Sequence, residues 1–213
     1  MLGLDLPTLI SRILVLLIAF TVHEFAHAWT ANYFGDDTPR LFGRLSLNPI
    51  VHLDVVGSLL LIIAGFGWAK PVPINPYNLQ KRSSSALMWV SLAGPLSNLG
   101  MAILGALPLR FGLVPLTSTS SGVLPTPAMF LFAFMYINLT LLLFNLIPIA
   151  PLDGEKIAEY FFPPSWSRVL DVIRPYGWVI LLVLVFGGQF VGVNILGAIM
   201  GPPLNALSKL LLG

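Results

Sequence analysis

Long apolar stretches broken by short polar segments recur along the whole chain. The first predicts a helix over residues 8–33, stopped by Gly35-Asp36-Asp37 and Pro39. Later stretches predict helices over residues 84–109, 128–147, 170–186 and 190–212, each near the roughly 20 residues that cross a bilayer. Residues 55–68 are equally apolar but fall short of the spanning minimum of about 17. They run into KPVPINPYNLQKR, where Pro71, Pro73 and Pro76 argue against helix. The expected fold class is an all-α polytopic membrane protein. It has about five transmembrane helices, one re-entrant or interfacial element and an extended proline-rich loop.

Composition agrees with that pattern. The chain is 56% hydrophobic and only 9% charged, with mean hydropathy +0.88, and no stretch is left for a soluble domain of ordinary size. One membrane-embedded domain over residues 1–213 is expected. The first apolar stretch is longer than a signal-peptide core and lacks a basic leader or small-residue cleavage site, so it is expected to stay in the mature protein. Cysteine is absent, so a metal must be held by His, Asp or Glu. The net charge of +2 resides mainly in loop Lys and Arg and implies no nucleic-acid partner.

Loop charge also predicts orientation. Arg40, Arg44, Lys70, Lys81 and Arg82 follow the first helix, and Lys156, Arg168 and Arg174 follow the third. The loop over 112–127 and the Gly187-Gly188 turn carry no Lys or Arg. If 55–68 does not cross, both basic segments share one side, which places the N-terminus outside and the C-terminus inside. Arg12 and Arg110 are minor exceptions.

Within TVHEFAHAWTANYF, His23, Glu24 and His27 form H-E-x-x-H on the first predicted helix. Residues four apart share a helix face, so two imidazoles can hold one zinc, with Glu24 placed to take a proton from a water beside it. Ionisable groups inside a span mark function unless a partner silences them. The competing reading is three polar groups hydrogen-bonded between helices. A catalytic zinc takes a third protein ligand, and His52, Asp36, Asp37, Asp54, Asp153, Glu155, Glu159 and Asp171 are candidates. Asp153 is favoured. It follows the inner end of the third helix, at the depth of His23 and His27, where Pro148, Pro151 and Gly154 are expected to break the helix. His52 and Asp54 read as loop hydrogen-bonding groups, and Asn98 as a bond across a helix interface. Ala93, Gly94, Ser97, Gly100 and Gly105 suit a close helix neighbour, and the Trp residues at 68, 89, 166 and 178 suit interfacial or packing positions.

HEFAH, then AGPLSN, then NLIPIAPLDG resemble the site-2 protease family of intramembrane zinc metalloproteases. GRLSLNPIVHLD and GFGWAKPVPINP are similar to its compact bacterial and archaeal members, so the resemblance covers about residues 21–157. It implies Zn2+ on His23, His27 and Asp153, Glu24 as general base, and Asn145 helping to hold substrate or a developing oxyanion. It further implies a transmembrane protein or peptide substrate cut within or at the edge of the lipid bilayer of a prokaryotic plasma membrane. No segment reads as a PDZ or CBS domain, and no transmembrane helix is expected ahead of the H-E-x-x-H helix. A helix hides its carbonyls, so the substrate must unwind, and residues 65–78 are the expected edge that pairs with it. A metal-binding membrane transporter and a non-catalytic membrane scaffold retaining the motif are the alternatives.

Overall fold

The computed structural model describes residues 5–64, 67–115, 122–188, 192 and 194–213. The first helix, α1 (Leu6–Tyr33), carries Pro7 in its first turn, where a missing N–H breaks no helix bond. It closes at Gly35, whose φ of 86° is a conformation only glycine adopts readily, and the Asp36 N–H returns to the Ala31 carbonyl at 3.0 Å. A short α2 (Thr38–Leu41) and a 3-10 turn over Pro49–Val51 lead to α3 (Val55–Ala64). At about 1.5 Å per residue, α3 reaches only about half of the bilayer's hydrocarbon core. After an extended stretch come α4 (Pro76–Arg82), α5 (Ala86–Arg110), α6 (Pro127–Asn145), α7 (Asp153–Phe161) and α8 (Pro164–Ile173). A 3-10 turn joins α8 to α9 (Gly177–Leu182), a π-helical turn follows over Val183–Gly187, and α10 (Ile195–Leu212) ends the chain.

Five of these helical stretches are long and apolar enough to cross a membrane: α1, α5, α6, the continuous run Ser165–Gly187, and α10. Among the described residues there is no strand, only one antiparallel bridge between Leu53 and Ala69. The chain is an all-α polytopic membrane protein.

Helices α1, α5 and α6 pack mutually, and α10 leans on α5 and α6. In lipid, helix association depends on close packing and hydrogen bonds more than on apolar burial. Gly105 shows the first device: a Cβ there would stand 2.9 Å from the Phe134 ring and 3.2 Å from the Met135 nitrogen, so its absence lets α5 meet α6. Around that crossing Ala102, Ala106, Met135, Leu139, Leu142 and Leu204 form one buried cluster. Ala31, Leu79, Ala86 and Val90 form another where α1, α4 and α5 meet. Exposed apolar groups such as Val172, Val179 and Leu210 give the helices an outer surface suited to lipid.

Three expectations are corrected. Pro76 does not end the helical possibilities of its segment. It opens α4 at the first helical position, with the Asn75 side chain accepting the Tyr77 N–H at 3.1 Å. Gly154 does not break a helix either; it lies in the first turn of α7, while α6 has already ended at Asn145. The fourth crossing begins before residue 170, at Ser165, because Pro163 and Pro164 start a helix as readily as they end one. The expected start of the last helix at Phe190 lies outside the described residues; α10 is described from Ile195, with the Asn194 side chain accepting the Gly197 N–H at 2.8 Å.

Candidate metal centre

His23 and His27 sit one turn apart on the face of α1 that meets α5, and both are buried. Their Nε2 atoms approach to 3.0 Å. What makes room for them is Gly94 on α5: a Cβ there would intrude on His27 Nε2 and lie 2.6 Å from His23 Cε1. The small-residue stretch of α5 therefore serves the histidines at this position. His27 Nδ1 faces the Val90 carbonyl at 2.7 Å. A carbonyl only accepts, so Nδ1 carries the hydrogen and Nε2 is left to act as a ligand. His23 Nδ1 lies 2.6 Å from Asn98 Oδ1.

Asp153 arrives from the opposite side as the first residue of α7. It reaches that place because Gly154 has no side chain: a Cβ there would collide with the carbonyls of Leu146 and Ile147, at the end of α6. Asp153 Oδ2 then lies 3.1 Å from His23 Nε2, and Oδ1 lies 3.3 Å from His27 Nε2. Two further contacts hold the turn. Gly177 at the start of α9 packs on the Ala150 carbonyl. Glu155, buried on α7, pairs with Lys156 at 2.9 Å and with Arg174, which also reaches Asp171 and Glu159. Burial opposes the Glu155 charge, but the hydrogen bonds from Lys156 and Arg174 outweigh it and hold the carboxyl below its ordinary range.

His23, His27 and Asp153 form, among the described residues, the group whose ligand atoms lie within 4.8 Å of one another. Asp153 Oδ2 is buried without a hydrogen-bond partner. Acceptors brought this close need positive charge between them, and two imidazoles with one carboxylate are a donor set of catalytic zinc that leaves one position open. The residues fit the metal. The other third-ligand candidates do not join the group. His52 is fully buried in its loop, with Nε2 2.7 Å from the Ser46 carbonyl, and Asp54 accepts the Gly57 N–H at the start of α3. Asp36 is fully buried elsewhere, as described below.

A cavity of about 250 Å³ opens beside the three ligands, lined also by Glu24, Trp68, Val72, Ile74, Asn145 and Trp178. Glu24 Oε2 accepts the Val72 N–H at 3.2 Å, which ties the carboxylate to the extended segment. That segment is fastened along its length. The Lys70 N–H meets the His52 carbonyl at 2.8 Å, buried Arg44 donates to the carbonyls of Val51, Lys70 and Pro71, and Asp36 accepts the Asn75 N–H at 2.6 Å. Burial opposes ionisation of Asp36, but hydrogen bonds from Thr38, Asn75 and Asn78 prevail and lower its pKa. Trp68 and Trp178 meet edge to face, with centroids 5.2 Å apart, joining the segment to α9 across the cavity. Asn145 lines the cavity at the end of α6 and donates back to the Leu141 carbonyl at 3.0 Å.

Four residues were not singled out by sequence for the work they do here: Val90 and Gly94 against the histidines, and Arg44 and Asp36 beneath the extended segment. For α5 a signal existed. Val90, Gly94 and Asn98 recur every fourth residue and so mark one helix face, the one that meets His23 and His27.

Comparison with known proteins gives relatives of one kind. The model of "Peptidase family M50" matches residues 112–184. The chain is 42% identical over 176 residues to the protein of Bacillus subtilis (strain 168) named "Putative zinc metalloprotease YwhC", covering 81% of this chain and 78% of that one. It is 35% identical over 178 residues to "Putative zinc metalloprotease Rip2" of Mycolicibacterium smegmatis, covering 79% and 64%. It is 33% identical over 186 residues to Rip2 of Mycobacterium tuberculosis (strain ATCC 25618 / H37Rv), covering 83% and 68%. No solved structure matches the chain.

Proposed function

Because the chain belongs to peptidase family M50, the site-2 protease family, we propose that residues 1–213 act as one membrane-embedded zinc metalloprotease domain. It hydrolyses peptide bonds of transmembrane proteins or peptides near the cytoplasmic side of the bilayer. The observation that carries this reading is the convergence of His23, His27 and Asp153 on one point at the wall of a cavity that Glu24 also lines.

Zinc held by His23, His27 and Asp153 would supply the Lewis acidity that polarises a scissile carbonyl and eases loss of a proton from water. Glu24 takes that proton as general base and delivers one to the leaving amine. His27 is kept in register by its bond to Val90, and Asp153 by the packing of Gly154 against the end of α6. Asn145, at the cavity wall, has a second amide N–H to offer a substrate carbonyl or a developing oxyanion.

Of the expected edge, residues 65–66 lie outside the described residues and 76–78 belong to α4. Among the described residues no strand pairs with residues 71–74. With the Pro71 carbonyl and Val72 N–H taken by Arg44 and Glu24, the carbonyls of Val72 and Pro73 and the backbone of Ile74 are the groups left to a substrate. An extended substrate adds to this stretch by backbone hydrogen bonds, which is how an unwound segment is held for attack. Loop charge supports an N-terminus outside and a C-terminus inside in a prokaryotic plasma membrane, with the metal centre at the basic, inner side.

The test is cleavage of a single-span substrate co-reconstituted in liposomes, with the cut mapped by mass spectrometry. A cut within the span or at its inner end is expected, and Ile74→Pro or Ile74→Asp should lower both cleavage and substrate crosslinking about tenfold or more. Unchanged crosslinking in both variants would remove the strand-addition step. Zinc flux into the vesicles without cleavage would replace the protease by a transporter.

A further inference from the structure

We infer that Asn98 and Asn138 are positioning residues that set the tautomer of His23, so that its Nε2 is delivered to the metal as a bare ligand. The inference rests on the metal-site reading above and adds two residues to it, one of them on α6, which supplies no ligand.

The argument runs inward from a group whose role is fixed. Asn138 sits in α6 with no exposed surface, and one atom of its amide lies 2.8 Å from the Phe134 carbonyl oxygen. That oxygen only accepts, so the atom facing it is the amino group. The other end of the same amide, Oδ1, is then an acceptor, and it meets Asn98 at 2.8 Å. Asn98 must present its own amino group there, which turns its Oδ1 toward His23 Nδ1, 2.6 Å away. Two atoms this close need one hydrogen between them, and Oδ1 has none to give. His23 Nδ1 therefore carries the hydrogen, and Nε2 carries the lone pair that faces Asp153.

Reversing either amide would set two acceptors or two donors against each other. Asn98 and Asn138 are both wholly buried, so no water relieves such a clash, and an unsatisfied buried group costs about 1–3 kcal/mol. The polarity of the relay is thus set by one backbone carbonyl three groups from the ring. It passes through α6, α5 and α1, which are the helices of the central packing unit. His27 gets the equivalent instruction from the Val90 carbonyl directly. A neutral amide also suits the place, since a second-sphere carboxylate on α5 would add a charge inside the membrane.

The probe is zinc affinity of the purified 213-residue chain in detergent, read by competition with a chromophoric chelator and so independent of proteolysis. Asn98→Leu is expected to weaken zinc about 10–100-fold, as loss of an outer partner of a ligating histidine does. Asn98→Asp restores an oxygen acceptor for His23 Nδ1 but sets its other oxygen against Asn138 Oδ1, so it should bind zinc more tightly than the Leu variant and less tightly than wild type. Asn138→Leu leaves Asn98 in place but frees it to flip; it should weaken zinc by a smaller factor, about tenfold, and it carries the test if Asn98→Leu does not fold. Melting of the metal-free proteins isolates helix packing. Variants that lose thermal stability but bind zinc as tightly as wild type would overturn the relay, leaving the pair a helix contact. A wild-type protein that binds no zinc would instead overturn the metal-site reading beneath it.

Discussion

Gly94 separates two demands that a small residue in a membrane helix can meet. A methyl group there would push into both imidazoles, whereas one at Gly100, six residues along the same helix, would meet open space. Gly94→Ala is therefore expected to weaken zinc binding strongly and to destabilise by about 1–3 kcal/mol, the usual scale for overpacking. Gly100→Ala should leave zinc affinity unchanged and melt no lower. A zinc titration and a thermal melt on each variant check the pair, and equal behaviour would contradict the geometry. From sequence, Ala93, Gly94, Ser97, Gly100 and Gly105 were one undifferentiated class of small residues. Only the packed structure assigns Gly94 to the histidines, Gly105 to α6 and Gly100 to neither. The same limit applies to Asn98. Its bond across a helix interface was legible, but that the partner is His23, with Asn138 behind it, depends on how α1, α5 and α6 are rotated, which residue periodicity does not specify.

At the scale of elements, the extended stretch after α3 is the part most dependent on polar anchors. Prolines at 71 and 73 keep it out of a helix, which sequence showed, but they do not say where it lies. Arg44 and Asp36 do, by taking up its backbone carbonyls and the Asn75 N–H. The carboxyl of Asp36 has a native pKa below its unfolded value of about 3.9, so its stabilising contribution is complete above that pH and is lost as pH falls through the native value. Asp36→Asn should lower the melting temperature at pH 7, and the gap to wild type should narrow below about pH 4. Melting curves across that range decide it: a gap that stays constant or widens in acid would contradict the assignment. Helix α4 escaped the sequence reading because Pro76 was weighed as a breaker, although proline at the first helical position lacks only an N–H that the helix does not use.

For the whole molecule, the candidate crossings among the described residues were legible because each is a run of apolar residues near bilayer length, and α3 stood apart by its shortness. Helix ends were less so, since they are decided by caps and by neighbours such as Asn194 and Gly154. Absence of cysteine makes orientation directly measurable, because any introduced thiol is unique. Lys81→Cys should react with a membrane-impermeant maleimide only in inverted vesicles, and Leu113→Cys only in intact cells. Labelling of both from one side would contradict the orientation drawn from loop charge. The central claim is that the ligands hold zinc while Glu24 moves the proton. Glu24→Gln keeps the side chain's size and removes its basicity. Zinc content and cleavage of a single-span substrate, measured on the same liposome preparation, test it most directly. About one zinc per chain retained with cleavage abolished is the predicted result, and full cleavage by Glu24→Gln would contradict it.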